Sequence, residues 1–301
     1  MPLGVALVIK GAKQMNLFFE LFPNEKIIDI GKYVEMAIDY MKHNWDPFLN
    51  AIRSGMSWIL LNMEKFFTWV PWWIFILIIF LLGIWLTDIK HSIIFSCMFI
   101  GIGLMGYWNS TMLTLSIVIS SVFLSIIIGM ILGILVSENR IVKRILRPIL
   151  DAMQTTPSFV YLLPAIMLFN LGKVPAVFAT TIYIISPIVR LTNLGIERVP
   201  ESTIAAADAF GCSMWQKLFK VQIPQALPMI AAGINQAMLM SLSMVVVTSM
   251  IGAKGLGLDI LTAISFIDIA TAAEAGLSVI FVAIVLDRLT QGVANKLGKH
   301  V

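Results

Sequence analysis

An all-α polytopic membrane protein, with about seven transmembrane helices, is the fold class this sequence predicts, and three observations predict it. Of the 301 residues, 59% are hydrophobic and only 13% charged, against about 25% charged in soluble domains. Several uncharged stretches approach or exceed the roughly 20 residues that cross hydrocarbon as a helix. Basic residues gather between those stretches, as they do in cytoplasmic loops. Lipid offers no partner for a free backbone N–H or C=O, so the spans must be helices. The net charge of +4 is ordinary for a protein partnered with a lipid bilayer, and nothing indicates a nucleic-acid partner.

Residues 1–70 read as an N-terminal tail on the outside. They hold seven basic and seven acidic residues, unlike anything downstream. Met1–Ile9 is apolar but has neither a basic leader nor a small-residue cleavage site, so no cleaved signal peptide is expected. Phe48, Leu49, Ile52, Met56, Ile59, Leu60, Met63, Phe66, Phe67 and Val70 recur every three or four residues and make one apolar helix face. Such a helix either lies in the membrane interface or packs on other protein.

Residues 71–110 supply two additional spans. The first runs from about Pro71 to Thr87, with Trp69, Trp72 and Trp73 at its entrance as an interfacial aromatic belt. After the polar turn Asp88, Lys90, His91 the second continues to Tyr107 and Trp108. The third span, Leu113 to Val136, carries Gly129 and Gly133, a small-xxx-small pair suited to close helix contact. Arg140, Lys143, Arg144 and Arg147 against Glu138 then mark a cytoplasmic loop over 137–148 and orient the chain.

A fourth span covers Ile149 to Leu171, interrupted by Pro157 and Pro164. The external turn Gly172 to Pro175 leads into a fifth, Ala176 to Leu194, containing Pro187. Residues 195–228 are the most polar stretch of the second half and fall on the cytoplasmic side. The sixth span is Met229 to Ile251, the loop 252–270 returns outside, and the seventh is Thr271 to Leu286. The core therefore extends over 111–292, with 293–301 as a cytoplasmic tail.

The segment that carries mechanism is 200–224. Pro200 suits the first turn of a helix, an alanine-rich stretch follows, and Gly211 is positioned to end it with a positive φ. Ser213 and Gln216 form an S-x-x-Q capping box for a second helix, which Pro224 either ends or follows. Two short helices joined at a glycine make a rigid knob on the cytoplasmic face. A knob of this kind can receive force from a partner.

The spacing resembles the loop signature of ABC import permeases: E-A-A, three residues, Gly, nine residues, then I-x-L-P. Ala205, Ala206 and Ala207 stand for the triplet, with Asp208 beside it. Gly211 follows, and Val221, Gln222, Ile223 and Pro224 close the pattern. Ala205 departs from the family's Glu. Longer stretches resemble the permease subunits for glycine betaine, proline betaine and related quaternary amines: Asp151 to Pro164, Arg190 to Ile196, Leu242 to Gly252 with Gly255-Leu-Gly257, and Leu286 to Gln291.

The resemblance implies a type I ABC importer permease core of five helices, acting in osmoprotectant uptake in the bacterial inner membrane. It also implies three protein partners: a second copy of the chain, a cytoplasmic ABC ATPase subunit and an external substrate-binding protein. ATP and Mg would be bound by the ATPase and no cofactor by this chain. A permease for another amino acid or amine, such as choline or histidine, is the alternative.

The chain has no G-x-x-x-x-G-K-[ST] loop, so it is not expected to be an enzyme. His43, His91 and His300 are scattered, and Cys97 and Cys212 are far apart, so no metal site or catalytic group is expected. A secondary transporter would need an ionisable residue deep in a span, whereas Asp151, Arg190 and Asp287 lie near predicted ends. Polar residues within spans are candidates for lining the pathway. They are Asn235, Gln236, Ser241, Ser243 and Thr248 with Met244 in the sixth span, and Gln154, Thr155, Thr156 and Ser158 in the fourth. Hydrogen bonding between helices is the other reading of each.

Overall fold

The computed structural model describes residues 29–298. The sequence-based expectations for 1–28 and 299–301, the signal-peptide reading among them, lie outside the described residues. The chain divides into two units, Met1–Leu49 and Asn50–Val301. In the first, α1 (Ile30–Asn44) begins at Asp29, whose carboxylate accepts from the Lys32 N–H. Next α2 (Asp46–Trp69) starts there and continues into the second unit.

Within the second unit the apolar stripe of α2 packs on protein. Met56 and Leu60 join one buried cluster with Tyr161 and Val177, while Phe67 and Val70 join another with Phe75 and Phe99. Arg53 Nη2 donates to the Phe169 carbonyl at 3.1 Å, and Lys173 Nζ lies 2.6 and 2.7 Å from the Glu64 carboxylate oxygens. Trp58, Leu61, Phe66 and Trp69 remain exposed. At Pro71 the chain turns by 101° into α3 (Trp72–Leu86). Asp88 then caps α4 (Ile89–Leu104) by accepting from the His91 N–H.

The centre is built by α5 (Trp108–Glu138) against α8 (Lys173–Glu197). A Cβ on Gly129 would stand 2.8 Å from Ile188 Cγ2, and one on Gly133 only 2.6 Å from Thr192 Cβ. The two glycines thus set how close the helices come. Hydroxyls cross the same seam: Ser121 Oγ donates to the Val177 carbonyl at 3.4 Å and Ser125 Oγ to that of Thr181 at 3.0 Å. In hydrocarbon such bonds give a hydroxyl a partner that lipid cannot supply.

Three segments differ from the sequence expectation. The loop expected at 137–148 is reduced to Asn139. There the side chain accepts from the Ile141 and Val142 N–H groups and starts α6 (Arg140–Thr155) at once. Its alternation of basic and apolar residues is a helix wheel rather than a loop.

The fourth span is interrupted at Pro157 as expected, but not at Pro164, which lies inside the helix that follows. Thr156 is extended ahead of Pro157, as a pre-proline residue prefers. A 3₁₀ turn, Ser158–Tyr161, then leads into α7 (Leu162–Phe169), bent 113° from α6. The loop expected at 252–270 contains a packed helix, α12 (Leu256–Phe266). Leu256 is fully buried, its N–H donates to Thr114 Oγ1 at 2.9 Å, and a Cβ on Gly257 would meet the Val245 carbonyl at 2.4 Å.

The remaining helices are α9 (Glu201–Ala209), α10 (Met214–Lys217) and α11 (Ile223–Ser249), and α13 (Ile269–Gly298) ends the described chain. Four helices are long and apolar enough to cross a membrane by themselves: α5, α8, the run Met214–Ser249 and α13. The bent pairs α2/α3 and α6/α7 raise this to six, and α4 is a shorter apolar helix of 16 residues. Each of the seven expected segments is therefore helical, and the described residues contain no strand.

Candidate functional site

The loop between α8 and α11 starts at Pro200, whose φ of −57° leads into α9. At the other end the Cys212 N–H donates to the Ala207 carbonyl at 3.1 Å, and the Phe210 N–H to that of Ala206 at 3.0 Å. Gly211 sits between them with φ +73°. This is a helix stop of the Schellman kind, in which a left-handed residue lets later N–H groups fold back on the last carbonyls.

The capping box follows. Ser213 N–H donates to Gln216 Oε1 at 2.9 Å, and Gln216 N–H donates to Ser213 Oγ at 3.3 Å. Ala205, Ala206 and Asp208 are exposed and Ala207 is buried.

The second helix does not end at Pro224. From α10 the chain passes through a π-helical turn, Leu218–Gln222, directly into α11, a continuous run of 36 residues from Met214 to Ser249. Proline has no N–H for the usual bond and its ring crowds the carbonyl four residues back. The ladder widens here, with the Ile223 N–H reaching the Leu218 carbonyl. Val221, Ile223 and Pro224 are half-buried beside this turn. Leu218, Ile196, Ala226 and Ile230 form the small core beneath it. The loop is thus one short helix hinged at Gly211 to the N-terminal end of a long apolar helix.

Sequence reasoning missed the outer face of this loop. Phe210 is 88% exposed, with Met214, Trp215 and Phe219 also bare. The Trp215 and Phe219 rings stack at 5.9 Å. Their i, i+4 spacing in a polar segment was the available signal, and an apolar patch surrounded by polar residues marks a partner surface.

The candidate pathway residues separate into three groups. Ser241, Met244 and Thr248 are buried. Ser241 Oγ donates to the Met238 carbonyl at 2.6 Å, Thr248 Oγ1 to that of Val245 at 3.0 Å, and Met244 lies in the core. Asn235 bonds between helices: its Nδ2 donates to Asp287 Oδ1 on α13 at 3.1 Å, and Thr290 Oγ1 donates to its Oδ1. Gln236 and Ser243 are exposed on α11.

In the fourth span, Thr155 and Thr156 return their hydroxyls to the Ala152 carbonyl, at 3.1 and 2.7 Å, and Ser158 is half-buried. Gln154 and Gln236 both line a cavity of about 490 Å³ between α6, α8 and the middle of α11. Among the described residues no group of three or more His, Cys, Asp or Glu is arranged to hold a metal ion.

Asp268 starts α13, accepting from Thr271 Oγ1 at 2.6 Å and from the Thr271 N–H at 3.2 Å. The Thr271 hydroxyl first, and its backbone N–H next, hold the Asp268 carboxyl below the usual carboxylate range.

Residues 125–299 match the family model described as a binding-protein-dependent transport system inner membrane component. The chain is 39% identical over 272 residues to the glycine betaine/proline betaine transport system permease protein ProW of Escherichia coli (strain K12), covering 90% of this chain and 77% of that one. It is 38% identical over 270 residues to the glycine betaine transport system permease protein OpuAB of Bacillus subtilis (strain 168), covering 89% and 95%. Among solved structures, the MetNI methionine ABC transporter in an inward facing conformation matches with a TM-score of 0.58 at 18% identity, over 64% of this chain and 95% of that one.

Proposed function

The chain belongs to the family of inner-membrane permease components of binding-protein-dependent ABC importers, and from that premise we propose that it forms the passage for glycine betaine, proline betaine or a related quaternary amine. It works as a homodimer. An external binding protein delivers cargo, and a cytoplasmic ATPase holding ATP and Mg supplies the energy. The domain plan follows the sequence: an external region through residue 70, two added spans over 71–110, and the transport core with its inner loop.

The observation that carries the mechanism is the join between loop and span. A push on α9 passes through Gly211 into a helix that continues unbroken from Met214 to Ser249. The exposed Phe210, Met214, Trp215 and Phe219 give an ATPase an apolar grip beside Ala205 and Ala206. The basic cluster of α6 and this loop share the cytoplasmic side.

The test is reconstitution of the chain with its ATPase and binding protein in liposomes. ATP-dependent uptake of radiolabelled glycine betaine is expected, with competition by proline betaine. Uptake of histidine that betaine does not compete would overturn the cargo assignment.

A further inference from the structure

The cavity between α6 and α8 is lined by charges of both signs at helical spacing. Lys143, Arg147 and Asp151 stand on α6, and Arg190 and Glu197 face them from α8. Two ion pairs bridge it, Arg190 with Asp151 and Lys143 with Glu197. Asn193 also lines it, and the Asn193 Oδ1 is buried without a hydrogen-bond partner among the described residues. At about 490 Å³ the volume lies within the roughly 300–1,000 Å³ of small-molecule sites.

We infer that this cavity is a binding site for zwitterionic cargo on the cytoplasmic side, with Arg190 taking the carboxylate and Asp151 the cationic end. The inference rests on the importer reading above and adds the residues that would hold cargo as it leaves. A zwitterion can insert into the Arg190–Asp151 pair with no charge left bare. The cargo carboxylate replaces that of Asp151 on the guanidinium, whose planar fork suits it, and the cargo cation replaces Arg190 beside Asp151.

A cation alone, or an anion alone, can replace only one member of the pair and makes only one of the zwitterion's two charge contacts. A quaternary ammonium has no N–H to donate, so charge alone draws it to Asp151. Neither residue was assigned a role by the loop signature, although both lie in the stretches Asp151 to Pro164 and Arg190 to Ile196. The open Arg190 and Asp151 side chains, 45% and 54% exposed, permit weak and reversible occupancy.

The experiment uses the full chain with its ATPase in lipid nanodiscs and without the binding protein. Saturation-transfer NMR follows glycine betaine, with choline as the cation-only probe and acetate as the anion-only probe. Betaine should bind and the other two should bind at least roughly tenfold more weakly, the scale of one charge-assisted contact. Arg190→Ala and Asp151→Ala should each weaken betaine by a similar factor. The exchanged pair Arg190→Asp with Asp151→Arg should regain binding, which separates loss of the site from loss of the fold.

Betaine binding unchanged in Arg190→Ala, or choline equal to betaine, would overturn the inference. Betaine uptake by the complete importer with no binding to the nanodisc sample would also overturn it, and the proposed function would stand. Zwitterion binding at this pair without betaine uptake would uphold the cavity assignment and remove the cargo assignment.

Discussion

Lys217 Nζ lies 2.8 Å from Asp208 Oδ1, an ion pair that joins the last turn of α9 to the helix on the far side of Gly211. It braces the angle between the two helices, and it brings Asp208 into the loop's structure although Ala205 takes the place of the family's glutamate. Asp208 is about half exposed, and exposed pairs contribute roughly 0–1 kcal/mol. Asp208→Ala should therefore leave expression and folding intact while lowering the amount of cargo moved per ATP hydrolysed. Exchanging the charges, Asp208→Lys with Lys217→Asp, should recover that ratio. A single variant with an unchanged ratio would show that the pair does not brace the loop.

Sidedness follows from the basic arc of α6 and the loop at 200–224. In a background with Cys97 and Cys212 replaced, a cysteine introduced at Ser213 should react with a membrane-impermeant maleimide only after the cells are opened. One at Ser265, exposed at the end of α12, should react in intact cells. Labelling of position 213 from outside would reverse the topology.

The α5–α8 seam gives a sharper contrast. Gly133→Ala would place a methyl 2.6 Å from Thr192 Cβ and 3.1 Å from the Val189 carbonyl, which neither helix can yield without shifting. Overpacking of this kind costs about 1–3 kcal/mol. At Gly276 on α13 nothing lies within 4 Å of an added Cβ, so alanine should stabilise by about 0.5–1 kcal/mol. Thermal melts of the two variants in the same detergent should move in opposite directions. A harmless Gly133→Ala would mean that the helices are not in close contact there.

Much of this architecture was legible because it depends on local chemistry. The capping box at Ser213 and Gln216, the left-handed Gly211 and the seven apolar segments all follow from short-range pattern. What escaped depends on tertiary context. By charge Arg140 to Arg147 resemble a loop, yet the same residues form the polar arc of α6 once Val142, Leu146 and Leu150 have a core to enter. By composition 252–270 resemble a loop, yet they hold α12, because Thr114 is there to accept the Leu256 N–H. The meeting of Asp151 with Arg190 joins residues 39 apart, and spacing alone does not predict it.

The start of α13 should respond to acid in one direction only. The Asp268 carboxyl is held below its ordinary range by Thr271, so its contribution is present above that range and fades as the pH falls through the lowered value. Hydrogen exchange at Ala272 should be faster in Asp268→Ala than in the parent by a constant factor between about pH 8 and pH 5. That factor should shrink in stronger acid. A gap that closed near neutrality would assign the effect to another group.

Gly211 is where coupling should be most sensitive. Its φ of +73° costs a residue bearing a Cβ roughly 1–2 kcal/mol, and no neighbouring atom lies within 4 Å of such a Cβ. In the chain alone Gly211→Asp should therefore be destabilised no more than Gly211→Ala, since aspartate tolerates the left-handed region better, with the spans intact. Any further difference must come from what docks on the loop. The aspartate brings a charge beside the bare Phe210, Met214 and Trp215, where burial against a partner would strip its water. In the reconstituted importer, Gly211→Ala should keep partial uptake and Gly211→Asp should lose it, with ATP hydrolysis no longer stimulated by loaded binding protein. Equal uptake by the two variants at normal expression would confine Gly211 to ending a helix and move the coupling surface elsewhere.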